Sequence, residues 1–196
     1  MTTLTYVLHR PHLSFASTKL MRKLFGIFLS FLLCSCVIAT AQDTPRVEAF
    51  AGYSYIRMSL AYNYHQNFNG WNGSLAFNGN RWLGVVADFS GHYSSGRRTN
   101  HSFLVGPRFA YRTQSRFTPF AHALAGVARE REPAISLNGP ADDFRKTGIA
   151  YALGGGVDAA FTERIAVRVM QLDYFDQDAM FYRNGPRIST GLVFRF

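Results

Sequence analysis

The chain has 196 residues, 47% of them hydrophobic and 15% aromatic, and a formal net charge of +9. This length is enough for one domain. Its positive charges are scattered rather than gathered into a basic run, and four of them, Arg10, Lys19, Arg22 and Lys23, precede residue 42. Because nucleic-acid binding needs a clustered basic surface, the charge pattern argues against a nucleic-acid partner.

The start of the chain has the layout of an export signal. Arg22 and Lys23 precede the apolar run 24–33, and Ala39-Thr40-Ala41 follows as a small-x-small cleavage site. The apolar run is short for a membrane anchor. Leu33-Cys34-Ser35-Cys36 also loosely resembles a lipoprotein cleavage box, so lipidation of Cys36 is the alternative.

These features divide the chain into three parts. We predict a signal peptide over 21–41, an over-extended start over 1–20 and a mature domain over 42–196. Both cysteines lie within the signal peptide. If cleavage follows Ala41, disulfides, thiol chemistry and cysteine metal sites are therefore excluded from the mature protein.

From Arg46 onward, apolar side chains alternate with polar or small ones in segments of about ten residues, which is typical of strands with two unlike faces. Asn78-Gly79-Asn80 suits a tight hairpin turn, since Asn and Gly accept positive φ. Eight strands are predicted, over 47–55, 71–78, 83–93, 102–112, 117–128, 147–160, 165–169 and 187–196.

The phase of the seventh strand is ambiguous. Ile165, Val167 and Val169 share one face, but Gln171 and Asp173 then continue the same parity. Either a β-bulge intervenes or the strand rises past the lipid at this point.

The connections between the predicted strands alternate in length. Those near residues 79, 114 and 162 are short, whereas the long ones are 57–70, 94–101, 129–146 and 175–186. In an up-and-down barrel every second connection lies at the same end, and outer-membrane barrels have long outer loops and tight periplasmic turns. The sequence therefore predicts an all-β fold: a closed eight-stranded antiparallel up-and-down transmembrane barrel.

The last strand carries a family resemblance. Ser189, Gly191, Phe194 and Phe196 resemble the C-terminal signal of bacterial outer-membrane barrels. The segments 103–112, 71–73 and 81–85 are similar to strands of outer-membrane β-barrel domain proteins of the OmpA-like and OmpX-like kind. The resemblance implies that the closing strand is read by the barrel-assembly machinery. It implies neither an established activity nor cell-wall tethering.

Eight strands enclose an interior just wide enough for side chains to fill. Charges there must pair, because an isolated buried charge is very costly. We interpret the inward set as a brace of ion pairs, with a narrow polar pore as the alternative. Its members are Glu48, Asp88, Arg108, His122, Asp158, Arg168, Arg187 and Arg195.

Aromatic side chains of the outward parity are predicted at two heights, as membrane interfaces select. Those near the long connections are Tyr55, Trp71, Tyr93 and Phe103. Those near the short turns are Phe77, Tyr111, Phe117 and Phe196.

Catalytic and metal-binding candidates are weak. His122 is an inward strand residue that, with Ser90 or Asp88, would make a hydrolytic arrangement. His65, His92 and His101 are predicted in or beside loops and lack ligand spacing, so neither a metal nor a cofactor is expected.

The resulting hypothesis is a monomeric, non-enzymatic outer-membrane protein with both termini periplasmic. Its partners are outer-membrane lipid, the barrel-assembly machinery during biogenesis and an unidentified partner of the four long loops. Two rival functions remain open. One is a barrel enzyme acting on outer-membrane lipid, and the other is a secreted lipocalin-like barrel with an apolar ligand inside.

Overall fold

A computed structural model describes residues 44–59, 65–95, 97–133, 143–178 and 183–196. The predicted over-extended start, signal peptide and Cys36 lie outside these ranges. Within them, no helix is long and apolar enough to cross a membrane.

Eight antiparallel strands follow one another around a closed barrel, and β8 pairs with β1 to complete it. The predicted fold class is confirmed. The strands are β1 Val47–Ser59, β2 His65–Asn78, β3 Leu83–Ser94, β4 Arg98–Ala110, β5 Phe117–Glu132, β6 Phe144–Ala160, β7 Ile165–Gln177 and β8 Asn184–Arg195.

The strands are staggered, as closure of a barrel requires. Paired residues can be followed from strand to strand around the barrel, starting at Arg46 just before β1. This path returns to β1 at Ile56, ten residues further along the chain. The path passes through Asn78, Gly84, Arg108, His122, Gly154, Asp173 and Arg187. This tilt brings charged side chains from distant strands to neighbouring heights in the interior.

About half of the residues in the expected long loops belong to strands. The connections between the observed strands at this end of the barrel are residues 60–64, 95–97, 133–143 and 178–183. Only 133–143 is much longer than the turn 79–82 at the other end. The predicted bounds of the four long loops were therefore wrong. The residues near these strand ends, such as His65 and Gln66, lack an apolar parity but still form the backbone ladder.

A β-bulge resolves the seventh strand. The pairing of β7 with β8 shifts between Arg168 and Gln171, and Val169 and Met170 both face outward. The extra residue returns Gln171 and Asp173 to the interior, where both are buried. Of the two alternatives, the bulge is the one that the structure contains.

The outside of the barrel is apolar. Large hydrophobic side chains are exposed on every strand, for example Leu75 at 42%, Leu153 at 67% and Leu172 at 49%. A lipocalin-like barrel needs the opposite arrangement, with its polar face outward, and this rival is therefore contradicted.

The interior is layered. Charged side chains occupy the part nearer the short turns, and an apolar cluster of buried residues lies beyond them toward the other end. The cluster's larger members are Ile56, Met58, Phe68, Leu104, Leu124 and Phe175. The expected plug of ion pairs therefore shares the lumen with apolar side chains.

Candidate functional site

Glu48 is the centre of the charge cluster near the short turns. Its Oε2 accepts hydrogen bonds from Arg108 Nη1 at 2.6 Å and from Arg112 Nη2 at 3.1 Å. Arg195 Nε lies 3.3 Å from the other carboxylate oxygen. One buried carboxylate at the start of β1 thus faces three guanidinium groups.

Arg108 and Arg168 share the buried carboxylate of Asp158. Arg108 Nη2 donates to Asp158 Oδ2 at 3.0 Å, and Arg168 Nε donates to Oδ1 at 2.8 Å. The Arg168 guanidinium also lies 4.2 Å from the ring centroid of Phe50 and 4.4 Å from that of Phe120. Ring faces and carboxylates together provide favourable electrostatic contacts for these desolvated cations.

The network continues to the middle of the barrel. Arg168 Nη1 donates to Gln171 Oε1 at 2.6 Å, and Gln171 Nε2 donates to Asp173 Oδ2 at 2.7 Å. Arg187 joins Asp173 to Asp88, with Nη2–Oδ2 at 2.7 Å and Nη1–Oδ1 at 2.9 Å respectively. A path of hydrogen bonds and ion pairs therefore runs from the short-turn mouth to mid-barrel.

His122 belongs to this network. Its Nε2 lies 2.8 Å from Asp173 Oδ1, while Ser90 Oγ shares a 2.7 Å hydrogen bond with Ser102 Oγ. The structure does not bring His122 together with Ser90 or Asp88 as a hydrolytic arrangement. His122 is instead one of the groups that hydrogen-bond to the carboxylate of Asp173.

His92, predicted on the third strand beside a loop, is an interior residue. It lies inside β3, 1% exposed, and its Nε2 is 2.9 Å from Ser54 Oγ. Ser189 Oγ donates to the same hydroxyl at 2.9 Å. The parity of β3 puts His92 on the face of Asp88 and Ser90, which was the signal available in the sequence.

Polar side chains also close the end away from the short turns. Asn100 on β4 donates to Gln177 on β7 at 2.8 Å, across the barrel. Arg98 bonds Glu132 at 2.6 Å and Gln66 at 3.1 Å. The Asn100–Gln177 and Arg98–Gln66 contacts link strands that are not neighbours in the sheet, so the lumen is bridged at this end as well.

Seven of the eight predicted interior charges have side chains that are almost wholly buried. The eighth, Arg195, is only partly buried, because it lies at the end of β8 in the short-turn mouth. Sequence reasoning missed Asp173, whose parity is reset by the bulge, and Arg112, which lies beyond the end of β4. Among the described residues, no group of His, Cys, Asp and Glu side chains could hold a metal ion.

The aromatic residues predicted at the interfaces all have outward parity. Phe77, Tyr111 and Phe117 are 50–57% exposed near the short turns, and Trp71, Tyr93 and Phe103 are 43–48% exposed on the other half of their strands. Tyr55 is only half-buried, and its hydroxyl donates to Asn67 at 2.9 Å. Tyr53, Tyr151 and Tyr174 are further exposed tyrosines that the sequence analysis left out.

Residues of the proposed assembly signal have distinct places in β8. Ser189 is buried and bonds Ser54, whereas Phe194 and Phe196 are 40% and 74% exposed. Gly191 pairs with Gly52 where β8 meets β1, and a Cβ on either residue would overlap the facing backbone. Close packing of the barrel seam is therefore a structural reason for glycine at this position.

The arrangement as a whole is a brace. Buried carboxylates and guanidinium groups are cross-connected, and the apolar cluster fills the lumen beyond them. Such a network fixes strands to one another.

Several solved structures share the fold, among them three bacterial surface or outer-membrane proteins. Neisserial surface protein A matches with a TM-score of 0.60 at 16% identity, over 76% of this chain and 97% of that one. The Yersinia pestis attachment invasion locus protein, Ail, matches with a TM-score of 0.60 at 17% identity, over 78% and 99%. OprG from Pseudomonas aeruginosa matches with a TM-score of 0.55 at 11% identity, over 80% and 98%.

A scan against protein-family models and a search of curated proteins found no match. The structural likeness, together with the closed barrel and its apolar exterior, confirms the fold that the sequence resemblance implies. In fold, the chain is a small eight-stranded β-barrel of the outer-membrane kind.

Proposed function

We propose that the protein is an integral outer-membrane protein with a structural or surface-interaction role and no enzymatic activity. The observation that carries this proposal is the inversion of the barrel, with apolar side chains outside and charges inside. A continuous apolar exterior of this size would promote aggregation of a soluble monomer, whereas lipid covers it in a bilayer.

Aromatic residues support the membrane position of the barrel. The Tyr53 hydroxyl donates to Asn69 Oδ1 at 2.5 Å, and the Tyr93 hydroxyl lies 3.2 Å from His101 Nε2. Both tyrosines are exposed on the outward face of the barrel. Amphipathic rings with polar partners are favoured at the level of lipid headgroups. We infer a monomer, because every strand edge is used in closing the barrel.

We assign the end with residues 133–143 to the outside of the cell and both termini to the periplasm. Short periplasmic turns and longer outer connections are usual in such barrels. A surface-interaction role fits this orientation, since β5 and β6 extend to Glu132 and Phe144 and carry the longest connection away from the charge cluster. Ail, which has this fold, is named as an attachment invasion locus protein.

Extraction and labelling experiments test membrane insertion and orientation. The protein should remain in membranes through alkaline carbonate washing and leave them only with detergent. Separate Arg145→Cys and Arg164→Cys variants introduce thiols at exposed positions at opposite ends of the barrel. On intact cells, a membrane-impermeant maleimide should label the Arg145→Cys variant, and should label the Arg164→Cys variant only after the outer membrane is permeabilised.

Release by carbonate alone would contradict membrane insertion, and the reverse labelling pattern would contradict the orientation.

The absence of enzymatic activity has a separate test. Mass spectra of outer-membrane lipids from cells with and without the protein should agree. A change in lipid acylation that depends on the protein would support the enzyme alternative instead.

A further inference from the structure

We propose that the mouth of the barrel at its short-turn end is a binding site for a small soluble polyanion that carries two or more phosphate groups. The site is distinct from the outward surface to which the proposed function assigns interactions. It does not depend on which side of the membrane this mouth faces.

The mouth opens into a recess of about 1430 Å³. Five arginines from five separate segments of the chain line it, and Glu163 is the acidic side chain among the lining residues. The five are Arg46, Arg81, Arg112, Arg164 and Arg195. The tilt and closure of the barrel bring these distant positions together around one opening.

Among the described residues at the mouth, acidic side chains are fewer than arginines. They are Glu163 and, beneath the recess, Glu48. Glu48 is already shared, because Arg108 lies 2.6 Å, Arg112 3.1 Å and Arg195 3.3 Å from its carboxylate oxygens. Arg81 has a partner of its own and is left out of this balance. The other four arginines therefore outnumber the two carboxylates in the described part of the chain, and a bound anion would relieve this excess of positive charge in a partly desolvated space.

Unused hydrogen-bond donors support the same conclusion. Arg112 Nε and Arg195 Nη2 are buried and donate no hydrogen bond within the described part of the chain. The guanidinium of Arg112 is held in place at its other end, since its Nη1 donates to Arg81 O at 3.0 Å while Arg81 Nη2 donates to Arg112 O at 2.8 Å. Fixed guanidinium groups with free donors are suited to oxyanions.

Several guanidinium groups around one recess favour a compact ligand of high charge. Each phosphate group accepts paired hydrogen bonds from an arginine, and two linked groups would engage arginines on different sides of the mouth. Thr113, Gln114 and Ser115 add hydroxyl and amide groups to the lining. A single carboxylate would leave part of the positive charge unbalanced.

Calorimetric titration of the purified protein with pyrophosphate tests the site, in detergent micelles at low ionic strength. Saturable binding is expected, and it should weaken as salt is raised. Arg46 and Arg164 are exposed at the mouth, so an Arg46→Gln/Arg164→Gln variant should fold normally. It should bind pyrophosphate at least about tenfold more weakly, because each lost charge-assisted hydrogen bond is worth about that factor or more.

A second variant, Arg195→Gln, removes a deeper contact and should weaken binding to a similar degree. The matched control is Arg129→Gln, which removes an exposed arginine from the opposite end of the barrel and should leave binding unchanged. Absence of saturable binding in the unaltered protein would overturn the proposal. An equal loss in the Arg129→Gln variant would also overturn it, since binding would then follow net charge rather than the site.

Two further measurements identify the class of ligand. Citrate at the same ionic strength should bind more weakly than pyrophosphate, and equal affinity would overturn the phosphate assignment. In nanodiscs, pyrophosphate affinity should be the same with zwitterionic lipid and with phosphatidylglycerol. Competition by phosphatidylglycerol would assign the arginines to a lipid headgroup and overturn the proposal of a soluble ligand.

Discussion

Arg187 on β8 donates a hydrogen bond of 2.9 Å across the barrel to Asp88 on β3, and both side chains are buried. The same guanidinium donates to Asp173 on β7 at 2.9 and 2.7 Å. Arg187 thus links strands on opposite sides of the lumen through two carboxylates. These bonds restrain the cross-section of the barrel at mid-height.

Replacing Arg187 by methionine should destabilise the barrel by about 3–5 kcal/mol, because Asp88 and Asp173 would lose their buried counter-ion. Urea unfolding of the protein refolded into lipid vesicles measures this change. Arg57→Met, at an exposed arginine, is the matched control and should have little effect. A loss below about 1 kcal/mol for Arg187→Met would mean that the ion pairs do not brace the fold.

Leu75→Arg should destabilise the barrel by about 2–4 kcal/mol if Leu75, 42% exposed on the outward face of β2, contacts mid-bilayer lipid. Thr147→Arg is the matched change at an exposed position near the other end of the barrel. It should cost only about 0–1 kcal/mol, since charge is tolerated near the interface. Equal costs in vesicle unfolding titrations would count against the membrane orientation.

The protein should conduct ions poorly. The Arg187–Asp88 and Asn100–Gln177 contacts cross the lumen at two heights, and Phe68 and Phe175 belong to the buried apolar cluster inside it. Planar-bilayer recordings of the purified barrel should therefore lack large, stable open channels. Such channels, absent from an empty-detergent control, would favour a porin function.

Phe196→Ala should reduce assembly into the membrane more than it reduces the stability of the folded barrel. The Phe196 side chain is 74% exposed, so its packing contribution is small. The backbone of Phe196 pairs with Val47 through bonds of 2.9 and 3.2 Å, which alanine preserves and a deletion would remove. If the assembly machinery reads this residue in the unfolded chain, membrane yield should fall while the denaturant midpoint stays nearly constant.

Quantification of the membrane-inserted protein in cells, beside unfolding of the refolded variant, separates these two effects. Phe161→Ala is a suitable control, because Phe161 is 82% exposed in a turn outside the closing strand. A normal yield for Phe196→Ala would remove the assembly-signal interpretation. A lower yield matched by an equally large midpoint shift would reduce the effect to lost packing.

The sequence alone was sufficient for the eight strands, their up-and-down order and the face that side chains take outside the bulge of β7. Leu75 and Ser74 on β2 illustrate why: alternation along a strand with lipid on one side and packed polar groups on the other leaves a period of two. The alternation of apolar and polar side chains weakens where a strand extends past the apolar part of the barrel's outer surface. The ends of β1 and β2 near Ser59 and His65 were therefore mistaken for loop, although backbone hydrogen bonding continues there.

The pairing of charges inside the barrel was decided by the tertiary structure. Strand parity alone assigned Arg187 and Asp88 to the interior, but only barrel closure and stagger bring these residues, 99 positions apart, within hydrogen-bonding distance. The bulge in β7 likewise depends on pairing with β8, and it turns Asp173 toward Arg187. Local alternation determines which side of a strand faces the lumen, whereas partners across the lumen depend on the register of every strand between them.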